Sequence, residues 1–108
     1  MKNKAKKNLS PGLNAFDLRV LKEITKIPFG QVRTYKWVAK KIGSPKSSRA
    51  VGNSLKKNPY PLVIPCHRVI KSNGGLGGYS LGMQVKKDLI GLEKRLKNIF
   101  CLIREKEV

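Results

Sequence analysis

Apolar residues recur at helical spacing in four stretches. In the first, Phe16, Val20 and Ile24 fall at i, i+4 and i+8, and Leu21 and Ile27 widen the stripe. Asn14 is placed to cap this helix, and Asp17 in its first turn suits the helix dipole. The helix is expected to stop before Pro28, with Phe29-Gly30 making the turn. Gln31-Val32-Arg33 reads as a short extended link. Thr34 then caps a second helix with Tyr35, Val38, Ala39 and Ile42 on one face and Gly43 at its C′ position. After the turn Ser44-Pro45-Lys46, Ser47 or Ser48 caps a third helix running to about Lys57. Ala50, Val51, Ser54 and Leu55 point inward, and Arg49, Asn53, Lys56 and Lys57 point out. The last helix starts near Met83, with Leu89, Leu92, Leu96 and Ile99 on one side and Glu93 among them. A carboxylate beside an apolar stripe needs a partner, and the chain has one His to offer.

Between the third and fourth helices the pattern changes. Asn58-Pro59-Tyr60-Pro61 is a rigid connection, and the apolar run Leu62-Val63-Ile64 predicts a buried, strand-like segment. Pro65 removes a backbone donor and fixes φ, so regular pairing should break there. On a regular strand Cys66 and His67 would point to opposite faces, whereas a bend lets both serve one pocket. A thiolate nucleophile needs a nearby base or positive charge, and His67 and Arg68 supply candidates for both. A small buried thiol beside a structural His is the plainer reading, and the spacing alone leaves both open. Lys71-Ser72-Asn73-Gly74-Gly75 is a strong turn signal. Leu76 to Gly82 is too Gly-rich for a regular element; it is either a plain hairpin loop or backbone meant to approach a ligand closely.

Charge adds a partner. The chain has 108 residues, 24 Lys+Arg against 6 Asp+Glu, and a formal net charge of +18. That excess is far beyond what solubility requires and points to an extended polyanion, most simply nucleic acid. Two short helices joined by a tight Gly-containing turn, the second small and basic, resemble a helix-turn-helix. An anionic membrane surface is the rival partner, but the aromatics, 6% of the chain, are spread out and not gathered on one basic amphipathic helix, so no membrane role is expected. No apolar run is long enough to span a bilayer or serve as a signal peptide. Two Cys without a CxxC make neither a disulfide framework nor a zinc site, which fits a reducing, cytoplasmic compartment. Residues 1–12 read as a flexible basic arm, 13–100 as one domain and 101–108 as a charged tail.

The motifs Arg49-Ala50-Val51-Gly52, Asn58-Pro59 and Ile64-Pro65-Cys66-His67-Arg68-Val69-Ile70 stand in the order and spacing of the O6-alkylguanine-DNA alkyltransferases. Ile27-Pro28-Phe29-Gly30, Thr34-Tyr35, Gly78-Tyr79-Ser80 and Leu92-Glu93 extend the resemblance over about residues 14 to 96. It implies the family's C-terminal domain, a mainly α, winged helix-turn-helix-like fold with a small β/loop wing, and a double-stranded DNA partner read through the minor groove.

The resemblance also implies roles. Cys66 would accept the alkyl group, and His67, oriented by Glu93, would act through a water as base. Asn58 would brace the active-site turn, and Tyr35 would donate to the leaving guanine and help rotate the nucleotide. Arg49 would fill the gap left by the flipped base, with Ala50, Gly52, Asn53 and Lys56 on the DNA face. Leu55, Pro61, Val69, Tyr79 and Ser80 would surround the alkylguanine, Ser80 bonding the oxygen being dealkylated and the Cys66 and Val69 carbonyls reading the guanine amino group. No cofactor or metal is implied, and one chain would act as a monomer, nucleoid-associated in a prokaryote. The family usually carries an N-terminal domain, where this chain has only the short arm, and Leu81 stands where the family typically has Gly. Two alternatives remain at this point. One is a non-catalytic alkyltransferase-like lesion binder, a class that replaces the acceptor Cys, typically with Trp. The other is a basic helix-turn-helix DNA-binding protein.

Overall fold

The computed structural model describes residues 12–107, with side chains as far as Arg104. The expected basic arm lies outside them apart from Gly12. Helix α1 (Ala15–Ile24) begins with a reciprocal capping box: Asp17 N–H donates to Asn14 Oδ1 at 2.8 Å, and Asn14 N–H donates to Asp17 Oδ2 at 3.0 Å. It ends at Ile24, short of the expected stop at Pro28. The reason is a tightening of the last turn, with Lys26 N–H on the Glu23 carbonyl and Ile27 N–H on the Ile24 carbonyl. That turn drops Ile27 into the core.

Strand β1 (Arg33–Thr34) leads directly into α2 (Tyr35–Lys41), whose cap Thr34 accepts the Trp37 N–H at 2.9 Å. Gly43 then turns the chain at φ +82°, a conformation that favours glycine. Helix α3 (Ser48–Lys56) follows, with Ser47 at its N-cap but without a side-chain capping bond. A single 3₁₀ turn (Cys66–Arg68) precedes β2 (Val69–Ile70), which pairs in parallel with β1, Arg33 opposite Val69 and Thr34 opposite Ile70. Helix α4 (Met83–Glu107) closes the chain. The architecture is mainly α with a small β/loop wing. Helices α1, α2 and α3 pack around Val20, Leu21, Ile24, Ile27, Val38, Ala39, Val51 and Leu55, and Cys66 and Val69 belong to the same apolar cluster. The candidate nucleophile is therefore anchored in the core.

One buried polar network ties the start of α1 to the end of α3. Asp17 accepts Ser54 Oγ–H at 2.5 Å and Lys57 Nζ at 2.9 Å as well as the Asn14 N–H. Burial by itself pushes this carboxyl up, but those donors outweigh it and hold Asp17 below the ordinary carboxylate range. A depressed folded-state pKa gives stability that is complete above the unfolded value and is lost as pH falls through the folded one. Asp17→Ala should therefore cost about 2–4 kcal/mol at neutral pH, combining a lost cap with buried donors left unpaired. Urea midpoints at neutral pH and at about pH 3 check this, with the gap between variant and parent narrowing in acid.

Two sequence expectations are corrected. Leu62-Val63-Ile64 is not a buried strand-like segment: Leu62 is 52% exposed and Val63 81%. Three prolines nearby remove ladder donors, and the chain instead folds into a turn with Ile64 N–H on the Tyr60 carbonyl at 2.9 Å. Leu62 sits at φ +84°, a strained conformation for a residue with a Cβ. On α4, Leu92 and Ile99 are exposed, and the inward row is Lys86, Glu93 and the stem of Lys97. The helix also runs on to Glu107, through most of the stretch read as a charged tail. Just before that stretch, Phe100 packs against Phe29, ring centroids 6.2 Å apart.

Candidate active site

The site begins with the turn that presents Cys66. Asn58 Nδ2–H donates to the Ile64 carbonyl at 2.8 Å, and Asn58 Oδ1 accepts the Tyr60 N–H at 2.9 Å. The same Ile64 carbonyl accepts the Cys66 N–H at 2.7 Å. Asn58 thus braces the backbone on both sides of the Pro-rich turn. Pro65 ends regular pairing as expected, and the 3₁₀ turn that follows buries both Cys66 (4% exposed) and His67 (1% exposed).

His67 Nε2 lies 2.7 Å from Glu93 Oε2. Arg68 grips the same carboxylate, with Nε–H on Oε1 at 2.8 Å and Nη2–H on Oε2 at 3.1 Å, and its Nη1–H donates to the Ile27 carbonyl at 2.9 Å. Burial works against the charge on Glu93, but the bonds from Arg68 and His67 outweigh it and hold the carboxyl below its usual range. An ionised carboxylate can only accept, so Nε2 carries a proton; in the neutral imidazole Nδ1 then presents a lone pair. Arg68, offered by the sequence as a possible activator of the thiol, is committed to Glu93 instead.

The cation near the thiol is one the sequence reading missed. Lys86 is fully buried on α4, with Nζ donating to the Gly78 carbonyl at 3.2 Å and lying 5.7 Å from the Tyr35 ring centroid. Desolvation lowers its pKa to about 8. Burial pushes the Cys66 thiol up, while the Asn58 hydrogen bond and the Lys86 charge pull it back toward the thiolate. A signal for Lys86 existed: it stands seven residues before Glu93, on the same helix face. Lys86→Met should slow alkylation of Cys66 about tenfold near neutral pH, the equivalent of about 1.4 kcal/mol of lost charge stabilisation. The gap should narrow above pH 8, where the parent lysine gives up its own proton. Iodoacetamide labelling of Cys66 across pH measures both effects.

Two connected spaces serve the thiol. A cavity of about 60 Å³ is lined by Tyr35, Gly52, Leu55, Lys56, Cys66, Gly78, Tyr79 and Ser80. A wide cleft of about 580 Å³ shares Tyr35, Gly52, Lys56 and Gly78 with it and adds Lys36, Arg49, Asn53 and Lys71. Most of the expected site residues therefore meet in one place. Ala50 is half-buried, and neither it nor Pro61 lines these spaces; Val69 is fully buried in the core, so its side chain does not reach the cavity. The Cys66 carbonyl accepts the Val69 N–H. Tyr35 fits only because position 77 is a glycine. A Cβ at Gly77 would overlap its hydroxyl, and one at Gly52 would touch the ring at 3.7 Å.

Residues 15–95 match the family model described as the 6-O-methylguanine DNA methyltransferase DNA-binding domain. The chain belongs to this family. It is 46% identical over 85 residues to the methylated-DNA–protein-cysteine methyltransferase of Methanosarcina acetivorans, covering 79% of this chain and 54% of that one. The protein of the same name from Saccharolobus solfataricus is 55% identical over 78 residues, covering 72% and 50%. The chain thus spans about half the length of these curated relatives. Among solved structures, Mycobacterium tuberculosis OGT in complex with DNA aligns with a TM-score of 0.76 at 42% identity, covering 77% of this chain and 52% of that one. Schizosaccharomyces pombe Atl1, bound to damaged DNA containing O6-carboxymethylguanine, aligns at 0.66 and 35% identity, covering 77% and 79%.

Proposed function

We propose that this chain repairs DNA by moving an alkyl group from the O6 position of guanine to Cys66 Sγ, once per molecule. The observation that carries this reading is the thiol itself, at the wall of a cavity that opens on a basic cleft and beside a buried His67–Glu93 pair. A lesion-binding protein without chemistry needs the cleft but not the thiol, the base or its orienter.

The target carbon hangs on a base inside a duplex, so the nucleotide must leave the stack. Arg49, at the start of α3 and exposed on the cleft, occupies the space the base vacates as the helix enters the minor groove. Inside the cavity, Ser80 faces the oxygen and Tyr35 faces the purine ring. The thiol proton passes through a water to His67 Nδ1, Sγ forms a bond to the alkyl carbon, and that carbon's bond to O6 breaks. The guanine anion takes a proton from the Tyr35 hydroxyl, which solvent then replaces. Burial and the nearby Cys66 raise the Tyr35 pKa, so the ring stays a donor at neutral pH. Net, thiol plus O6-alkylguanine gives thioether plus guanine, and the reaction balances without a cofactor. One chain holds every group named, which supports a monomer as the acting form; action in the cytoplasm on nucleoid DNA is part of the same proposal.

Exposure to a duplex carrying one O6-methylguanine should raise the intact mass of the protein by one methyl group. No gain sinks the proposal. Binding to undamaged duplex should be nearly blind to sequence, with log K falling by roughly 0.9 per neutralised phosphate for each decade of salt. A slope below about 2 would remove the polyanion reading on which the cleft assignment rests.

A further inference from the structure

Two polar atoms in the site are buried and have no protein partner: His67 Nδ1 and the Tyr79 hydroxyl. Buried polar groups are rarely left unpaired, because the desolvation penalty is about 1–3 kcal/mol for each. The two rings meet edge-on, centroids 6.2 Å apart at 69°. Tyr79 lines the cavity at Cys66, His67 follows Cys66 in the chain, and one water between the two rings would satisfy both orphans.

We propose that Tyr79 is a positioning residue for proton removal: its hydroxyl, together with His67 Nδ1, holds the water that takes the Cys66 proton. The inference rests on the function proposed above and adds a residue and a donor to it. The hydrogen-bond directions follow from the tautomer. Glu93 keeps the His67 proton on Nε2, so Nδ1 accepts one hydrogen of the water. Tyr79 O–H donates to the water oxygen, and the water's remaining lone pair faces the thiol. When Cys66 S–H gives up its proton to that oxygen, the hydrogen on the Nδ1 side moves to His67. No atom is lost or gained, and the Tyr79 donor stabilises the oxygen as charge passes through it.

The surroundings leave this task to Tyr79. Arg68 and Glu93 are fixed to each other, Lys86 is held by the Gly78 carbonyl, and Asn58 serves the Ile64 carbonyl, the Tyr60 N–H and the Cys66 sulfur itself. Tyr35 packs against Gly52 and Gly77, and its hydroxyl is assigned to the leaving guanine. Burial, then the charges of Cys66 and Glu93, raise the Tyr79 pKa, which keeps the hydroxyl protonated as the role requires.

The test is the pH dependence of Cys66 alkylation by iodoacetamide without DNA, in a Cys101→Ser background that silences the exposed second thiol. Tyr79→Phe removes the hydroxyl and keeps the ring. It should raise the midpoint of the profile by about one unit and slow labelling about tenfold at neutral pH, with the curves converging in alkali once the thiol ionises unaided. Placing 3-fluorotyrosine at 79, a stronger donor in the same fold, should move the midpoint down and guards against a variant that folds poorly. Superimposable profiles overturn the proposal, as does a loss of the same factor at every pH, the mark of altered packing. Methyl gain from modified duplex, run on the parent, reports separately on the repair reading: its absence fails that reading while the iodoacetamide profiles still judge Tyr79.

Discussion

Cys66→Ala should abolish the methyl gain completely while leaving affinity for undamaged duplex within about twofold of the parent. The two halves of this expectation draw on different residues. Cys66 reaches the cavity from the core side, whereas the exposed cations Lys36, Arg49, Lys56 and Lys71 line the outer cleft. Truncation at Cβ removes one sulfur from a turn already fixed by Pro65 and by the Asn58 bond to the Ile64 carbonyl, so the frame persists. Cys101 is the internal control. It is exposed on the outer turns of α4, in a depression formed with Phe29, Lys97, Phe100 and Arg104, with no histidine or carboxylate among those residues. It is open to indiscriminate electrophiles, but a methyl group cannot be delivered to it from a flipped base in the cavity. Peptide mapping after reaction with methylated duplex decides the point, and a methyl on Cys101 would overturn the site. The gain should also stop at one per chain, because a thioether offers no group that His67 or Lys86 could expel.

Much of this arrangement is written locally in the chain. Asn14 with Asp17, and Thr34 ahead of Tyr35, mark helix starts because a capping bond spans three residues and needs nothing distant. The lone acid in the apolar stripe of α4 and the lone His are legible as partners for a similar reason, since a buried charge must be answered and few groups can do it. The missing parts depend on tertiary packing. Leu62 and Val63 are apolar yet exposed, because the neighbouring prolines bar ladder pairing and the Asn58 side chain closes the turn from outside it. Helix α4 carries more apolar residues than its packing uses, so the widest stripe is not the buried one. Its orientation is set by the polar pocket, which draws Lys86 and Glu93 inward. A lysine reads as solvated in any sequence, and Lys86 is inside only because the Gly78 carbonyl meets its ammonium. Arg68 follows Cys66 by two residues, but the 3₁₀ turn swings it onto Glu93.

Arg49→Ala should slow repair of duplex about ten- to a thousandfold and barely change reaction with O6-benzylguanine as a free base, provided the pocket accepts that base. Extruding a nucleotide costs a few kcal/mol of unstacking, and each 1.4 kcal/mol is tenfold in rate. Arg49 sits in the first turn of α3, exposed on the cleft and making no hydrogen bond or ion pair among those of the described residues, so its side chain is available to fill a gap in the stack. A free base needs no extrusion and should not sense the loss. Tyr35→Phe separates the second role. The ring stays packed between Gly52 and Gly77, but the donor to the departing guanine is gone, so both substrates should slow. If Arg49 were only a surface cation and Tyr35 only a packing aromatic, Arg49→Ala would have equal, small effects on both substrates, and Tyr35→Phe would register chiefly as lost stability. Second-order rates for both variants on both substrates, with melting temperatures alongside, distinguish these accounts. Equal slowing of duplex and free base by Arg49→Ala would refute the intercalating role.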